Sequence, residues 1–253
     1  MNDERTKNSD LFQNHPSANI PLKGFDGQKA GAARGRHHEA AVTRRTLAVF
    51  SLTLVMSAGL AGLLLHQGLV PWPFRGTDTV FGTWGRIPVY APVLIFALIS
   101  LFWLRHAGLP IREWFSWKQV SPLFFAGLGV SIGYSLYLFY TSPFPLKSAG
   151  FIPPALVMGL MNAVSEEIIY RLIFMQLLAA AFGSRPRANL IQATVYALPH
   201  LLIGGPLFFL LATGYGLLLG RITHATGSIF PAIICHFIID IGAIGLPLLI
   251  NVD

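Results

Sequence analysis

Apolar residues in this chain come in long unbroken blocks, separated by short polar stretches. The first block, Thr46 to Leu65, runs for twenty residues without a charge. It shows no polar stripe at helical spacing, which a soluble helix of that length would carry. About twenty apolar residues are what a helix needs to cross a hydrocarbon core. Seven segments of this kind are predicted, at about 46–68, 87–105, 120–140, 152–181, 188–203, 206–223 and 229–250. The expected fold is all-α, a polytopic transmembrane helical bundle. The fourth segment is long enough to tilt or to start outside the bilayer. The fifth and sixth are short and meet at Gly204-Gly205-Pro206, which predicts a broken or re-entrant pair. Two small-residue patterns, Gly129-x-x-x-Gly133 and Gly216-x-x-x-Gly220, would let helices approach closely.

Residues 1–44 lack this periodicity and are rich in Asn, Ser, Gly and basic residues, so they are expected to form a disordered tail. The neighbouring His37 and His38 are expected to be solvated there. A cleaved signal peptide is disfavoured, because the polar stretch before the first block is long and the block exceeds an ordinary h-region. The organisation expected is a tail at 1–44, N-terminal transmembrane helices at 45–149, and helices with the polar motifs at 150–250.

Composition agrees with the pattern. Of 253 residues, 53% are hydrophobic and 11% charged, against about 25% charged in soluble domains. The net charge of +7 does not imply nucleic acid, because the basic residues are placed by side. Arg5, Lys7, Lys23, Lys29, Arg34, Arg36, Arg44 and Arg45 lie in the tail, and Arg105, Arg112, Lys118, Arg185, Arg187 and Arg221 follow in alternate loops. Arg75, Arg86 and Lys147 fall on the other side. Basic residues collect in cytoplasmic loops, so the N-terminus is expected in the cytoplasm of a multi-pass protein of the cell membrane. The one cysteine, Cys235, excludes an internal disulfide and sits in an apolar run as a small hydrophobe.

Candidate chemistry begins where the hydrophobic rule is broken. The fourth segment contains Ser165-Glu166-Glu167-Ile168-Ile169-Tyr170-Arg171. Each intramembrane charge costs about 2.5–3.5 kcal/mol on insertion scales. Glu167 and Arg171 stand at i and i+4 in the favourable order and can form an internal ion pair. Glu166 projects about 100° away with no cation on its own helix. A desolvated carboxylate of that kind is suited to take up a proton, as a general base must. Two further pairs share a face, Tyr196-x-x-x-His200 and His236-x-x-x-Asp240. By position along their segments, Glu166 and His236 fall at mid-depth and His200 nearer the outer end. Pro199 would either kink its helix toward a cavity or end it.

Two chemistries fit this set. In one, Glu166 deprotonates a water held by histidine, and other groups stabilise a tetrahedral oxyanion. In the other, His200, His236 and a carboxylate hold zinc with an open position for water. No His-Glu-x-x-His run is present.

Glu-Glu-x-x-x-Arg, then aromatic-x-x-x-His, then His-x-x-x-Asn/Asp on successive membrane helices resembles the CPBP family. These are the CAAX-processing and bacteriocin-processing intramembrane endopeptidases, also called Abi, and the resemblance covers about residues 150–245. It implies Glu166 as the base that activates water, supported by Glu167 and Arg171. It implies His200 and His236 as groups that bind water or polarise the scissile carbonyl, and Asp240 at the oxyanion-binding position. It further implies a glutamic protease without a cofactor, although older descriptions of the family are as metalloproteases. Two residues depart from the usual motif: Tyr196 stands for Phe, and Asp240 for Asn. An ionised Asp accepts hydrogen bonds and cannot donate to an oxyanion. Asp240 would have to be protonated, orient His236, or bind a metal.

The reading is an intramembrane endopeptidase. Its partners would be membrane lipid and a peptide or protein substrate reached from the membrane, in C-terminal tail or precursor processing, with no nucleic acid. The alternatives are a non-catalytic bacteriocin-immunity or scaffold protein and a proton-coupled transporter. The lack of an internal repeat counts against the transporter.

Overall fold

The computed structural model describes residues 46–54, 79–106, 111–117 and 119–250. All lie in one compact unit, Val42–Asp253. The expected tail with His37 and His38, and the rest of the first segment at 55–68, lie outside the described residues. Residues 46–54 form helix α1. It is followed by the short α2 (Val80–Trp84), α3 (Ile87–His106), a 3-10 turn (Ile111–Phe115) and α4 (Pro122–Thr141). Helix α5 (Ile152–Glu166) runs without a break into a π-helical stretch, Glu167–Phe174, and then α6 (Met175–Phe182). Helix α7 spans Arg185–Thr226, and α8 (Phe230–Asp240) passes through a second π stretch, Ile241–Gly245, into α9 (Leu246–Leu249). Among the described residues the only β pairing is an isolated bridge between Leu146 and Ile250.

The ends of these helices follow local chemistry. Ser121 accepts a hydrogen bond from the Leu123 N–H with Pro122 in the first turn, and Ser184 caps the start of α7 in the same way through Arg187. Gly183 and Gly227, both at φ 62°, stop α6 and α7 in the left-handed conformation that glycine adopts without a Cβ clash.

Helix α7 is two arms. Gly205 breaks it with φ 73° and ψ −168°, a region essentially reserved for glycine. Asn189 Nδ2 donates to the Leu217 carbonyl at 3.0 Å and Gln192 Nε2 to that of Gly216 at 3.1 Å. Tyr196 and Ala197 pack on Ala212. Pairing moves down one arm as it moves up the other, so the arms are antiparallel about the predicted Gly204-Gly205-Pro206 break. Helical geometry continues past Pro199, which neither breaks nor ends its helix.

Among the described residues, four helices are long and apolar enough to cross a membrane: Val80–Arg105, Pro122–Thr141, Ile203–Thr226 and Phe230–Leu249. They correspond to the second, third, sixth and seventh predicted segments. The fourth is helical throughout, and the fifth is the first arm of α7.

The surface is apolar and the interior holds polar groups. Ile99, Phe102, Phe125, Leu136, Leu207 and Leu210 are more than half exposed, while Glu167 and Arg171 are fully buried. This inversion suits a lipid solvent, which accepts hydrocarbon and excludes charge. The chain is an integral membrane protein. Helix α5 packs on both α3 and α8, α4 covers α8, and α7 packs on α6, α8 and α4. The apolar side chains of the π stretch join Phe50 of α1 and Ala97 and Leu104 of α3 in the largest core cluster.

The two small-residue patterns behave differently. A Cβ at Gly220 would run into the side chains of Asn189 and Gln192, and one at Gly216 would stand 3.0 Å from the Tyr196 ring. A Cβ at Gly129 or Gly133 would meet nothing within 4 Å. Among the described residues, only the Gly216 pattern of these two mediates close packing. Gly220→Leu is therefore expected to cost about 1–3 kcal/mol or more through overpacking. Gly133→Leu should leave stability unchanged within about 0.5 kcal/mol. Thermal denaturation in detergent measures both.

Candidate active site

The candidate residues come from three helical segments. Asn162 and Glu166 lie one turn apart on α5, and Glu167 and Arg171 follow in the π stretch. His200 lies on the first arm of α7. His236 and Asp240 lie one turn apart on α8, immediately before the second π stretch. A π turn widens the hydrogen-bond ring by one residue and shifts the side chains that follow, and such turns occur often at functional sites.

His236 is the hub, buried to 2% exposure. Its Nδ1 lies 2.6 Å from Glu167 Oε1, and the same carboxylate oxygen lies 3.1 Å from Arg171 Nη1. A carboxylate that already faces a guanidinium can only accept, so Nδ1–H donates to it. The far nitrogen, Nε2, lies 3.6 Å from Glu166 Oε2 and 3.7 Å from Asp240 Oδ2. The two adjacent glutamates thus reach opposite nitrogens of one ring. Arg171 is held further by the Tyr196 ring, whose centroid lies 4.2 Å from the guanidinium carbon. Behind the cavity this makes a buried line from Tyr196 through Arg171 and Glu167 to His236.

In front of the line lies a cavity of about 550 Å³. Glu166, His200, His236 and Asp240 all line it, with Asn162 and the rings of Tyr134, Tyr170, Tyr196 and Tyr215. Most of the remaining wall is apolar, including Ile203, Phe208, Leu211 and Ile244. Glu166 is the more open glutamate, with its side chain 23% accessible against 0% for Glu167. His200 packs edge-on against Phe208 and beside Tyr196, and its Nδ1 is buried with no hydrogen-bond partner among the described residues.

All six residues singled out from the sequence therefore stand together, four on the cavity wall and Glu167 and Arg171 behind it. The division between a paired and an open glutamate holds, with one addition: Glu167 is bonded to His236 as well as to Arg171. Asn162 was missed. Its Nδ2 donates to Asp240 Oδ2 at 3.0 Å, and its spacing of four from Glu166 could have shown it. Tyr215, which also faces His236, is tied to Ser131 by a 2.9 Å hydroxyl pair.

Among the described residues, no group of three or more His, Cys, Asp or Glu side chains stands in an arrangement that could hold a metal ion. His236 Nδ1 is bonded to Glu167 Oε1, and among the described residues His200 makes no ion pair with the acidic cluster. Among these residues the donors do not gather as the zinc site left open by the sequence would need.

Residues 148–242 match the family model for type II CAAX prenyl endopeptidase Rce1-like. This segment contains every candidate residue, and the matched model is one of the CPBP family of CAAX-type membrane proteases. No curated protein and no solved structure matches the chain.

Removing one partner of a buried ion pair leaves an uncompensated charge and costs about 3–5 kcal/mol. Arg171→Met should show this loss in thermal denaturation. The double substitution Glu167→Gln with Arg171→Met should recover most of it, because no charge is then stranded.

Proposed function

We propose that the chain is an intramembrane endopeptidase in which Glu166 activates the attacking water. Support comes from one juxtaposition: an open carboxylate, two histidines and an Asp on the wall of a mostly apolar cavity within a lipid-facing helical bundle. In the proposed reaction, Glu166 takes a proton from water as the water oxygen bonds to the scissile carbonyl carbon. The carbonyl oxygen becomes an oxyanion within the cavity. When the intermediate collapses, the C–N bond breaks and Glu166 returns its proton to the leaving nitrogen. The products are a carboxylic acid and an amine. General acid–base transfer of this type contributes about 10²–10⁴-fold to rate. Glu167 and Arg171 fix the imidazole by holding Nδ1, much as a buried carboxylate orients a catalytic histidine elsewhere. His200, on the opposite arm, completes the cavity wall as a water-binding group.

The substrate is a membrane-associated polypeptide cut in a C-terminal tail or precursor segment. The cavity walls suit apolar side chains, and the family description makes a prenylated C-terminal peptide the first probe. The seven-span arrangement with a cytoplasmic N-terminus, in the cell membrane, belongs to the same proposal.

Glu166→Gln should lower cleavage of a quenched fluorescent prenylated peptide by at least about 100-fold, with thermal denaturation unchanged. Cleavage at the wild-type rate would reject the role, and a protein whose cellular effect survives the change would be an immunity factor or scaffold. Chelators should leave the rate unchanged. Loss on chelation with recovery on adding zinc would replace the metal-free scheme.

A further inference from the structure

An oxyanion needs hydrogen-bond donors, yet the groups around His236 are mostly acceptors. Glu166, Glu167 and Asp240 all approach the one ring within 3.7 Å. Asp240 cannot donate as a carboxylate. Its Oδ2 does something else: it accepts from Asn162 Nδ2 at 3.0 Å and lies 3.7 Å from His236 Nε2. One oxygen thus gathers an amide and an imidazole nitrogen to the same point. An amide nitrogen carries two hydrogens. Asp240 takes one, and no described residue accepts the other. Asn162 lines the cavity on the same face of α5 as Glu166, one turn away.

We propose that Asn162 is a catalytic residue, whose free amide N–H binds the oxyanion while Asp240 holds the amide in place. This rests on the endopeptidase reading above. As water oxygen bonds to the carbonyl carbon and its proton passes to Glu166, the carbonyl π electrons move onto oxygen. Asn162 Nδ2–H donates to that oxygen. When the C–N bond breaks, the electrons return to the carbonyl and the amide releases a neutral oxygen. Asp240 thereby acts through Asn162, as a positioning residue. A donor preorganised in this way stabilises the transition state more than the bound substrate. Other hydroxyls reach the cavity, but Tyr215 is committed to Ser131. Asn162 has its amide held by Asp240, whose Oδ2 lies 3.7 Å from His236 Nε2.

The test compares variants on the quenched prenylated peptide, with an unprenylated apolar peptide as a second probe. Asn162→Ala should lower kcat about 100-fold on both peptides while KM changes little, which a general loosening of the fold would not produce. Asn162→Asp should be at least as impaired. The exchange N162D/D240N puts one acid and one amide back in contact and should recover at least tenfold over Asn162→Asp. A kcat within threefold of wild type for folded Asn162→Ala, or no recovery in a folded exchange variant, overturns the proposal. Should Asn162→Ala not fold, the exchange pair decides. Glu166→Gln in the same assay separates the two levels. If it is inactive while Asn162→Ala is normal, only the role of Asn162 fails. If it is fully active, Glu166 is not the base, and if the wild-type protein cleaves neither peptide, the endopeptidase reading itself fails.

Discussion

Burying charge inside an apolar bundle is the constraint on which this structure depends. Arg171 and Glu167 are fully enclosed, and neither could stay there alone. Their ion pair, the Tyr196 ring over the guanidinium and the Glu167–His236 hydrogen bond compensate one another. The π stretch supplies Glu167 and Arg171, α7 supplies Tyr196 and α8 supplies His236, so these contacts fix how the three meet. The site is thus part of what specifies the bundle. Removing Glu167 or Arg171 alone strands the other charge where water cannot reach it.

The same constraint prepares chemistry. His236 is oriented from behind by Glu167, which leaves Nε2 facing the cavity between Glu166 and Asp240. The ring cannot rotate without breaking a 2.6 Å contact. Glu166 keeps access to the cavity while Glu167 is enclosed. Gly159 lies where α5 meets the acid: a Cβ there would stand 3.4 Å from the Asp240 Cβ, about van der Waals contact. The Gly205 break shapes the other wall. It folds α7 back so that His200 and Phe208, on opposite arms, both line the cavity.

Much of this was legible in the chain, and the reasons differ by feature. Apolar segments showed through length alone, because the bilayer demands it, and the break at Gly204-Gly205-Pro206 showed through backbone chemistry. The acidic and histidine motifs stood out because charge is rare in such segments. Other features left no readable signal. The π stretches after Glu166 and Asp240 arise from packing, and no periodicity announces a ring one residue wider. Adjacent side chains on an α-helix diverge, so nothing suggested that Glu166 and Glu167 would meet one imidazole; α8 had to cross beside them. Asn162 was passed over because a neutral amide does not stand out as a charge does. Gly129 and Gly133 looked like a packing seam, but within this chain they face open space. Small residues at that spacing permit close approach without specifying a partner.

The central claim is that His236 is clamped by Glu167 on one nitrogen and faces Glu166 and Asp240 with the other. Solid-state NMR dipolar recoupling can measure it, on protein in lipid with ¹⁵N in histidine and ¹³C in the Glu and Asp carboxyls, and with His236→Ala to assign the signal. The account predicts a strong coupling from Nδ1 to one carboxyl carbon and weaker couplings from Nε2 to others. A His236 ring without coupling to any carboxyl would contradict it.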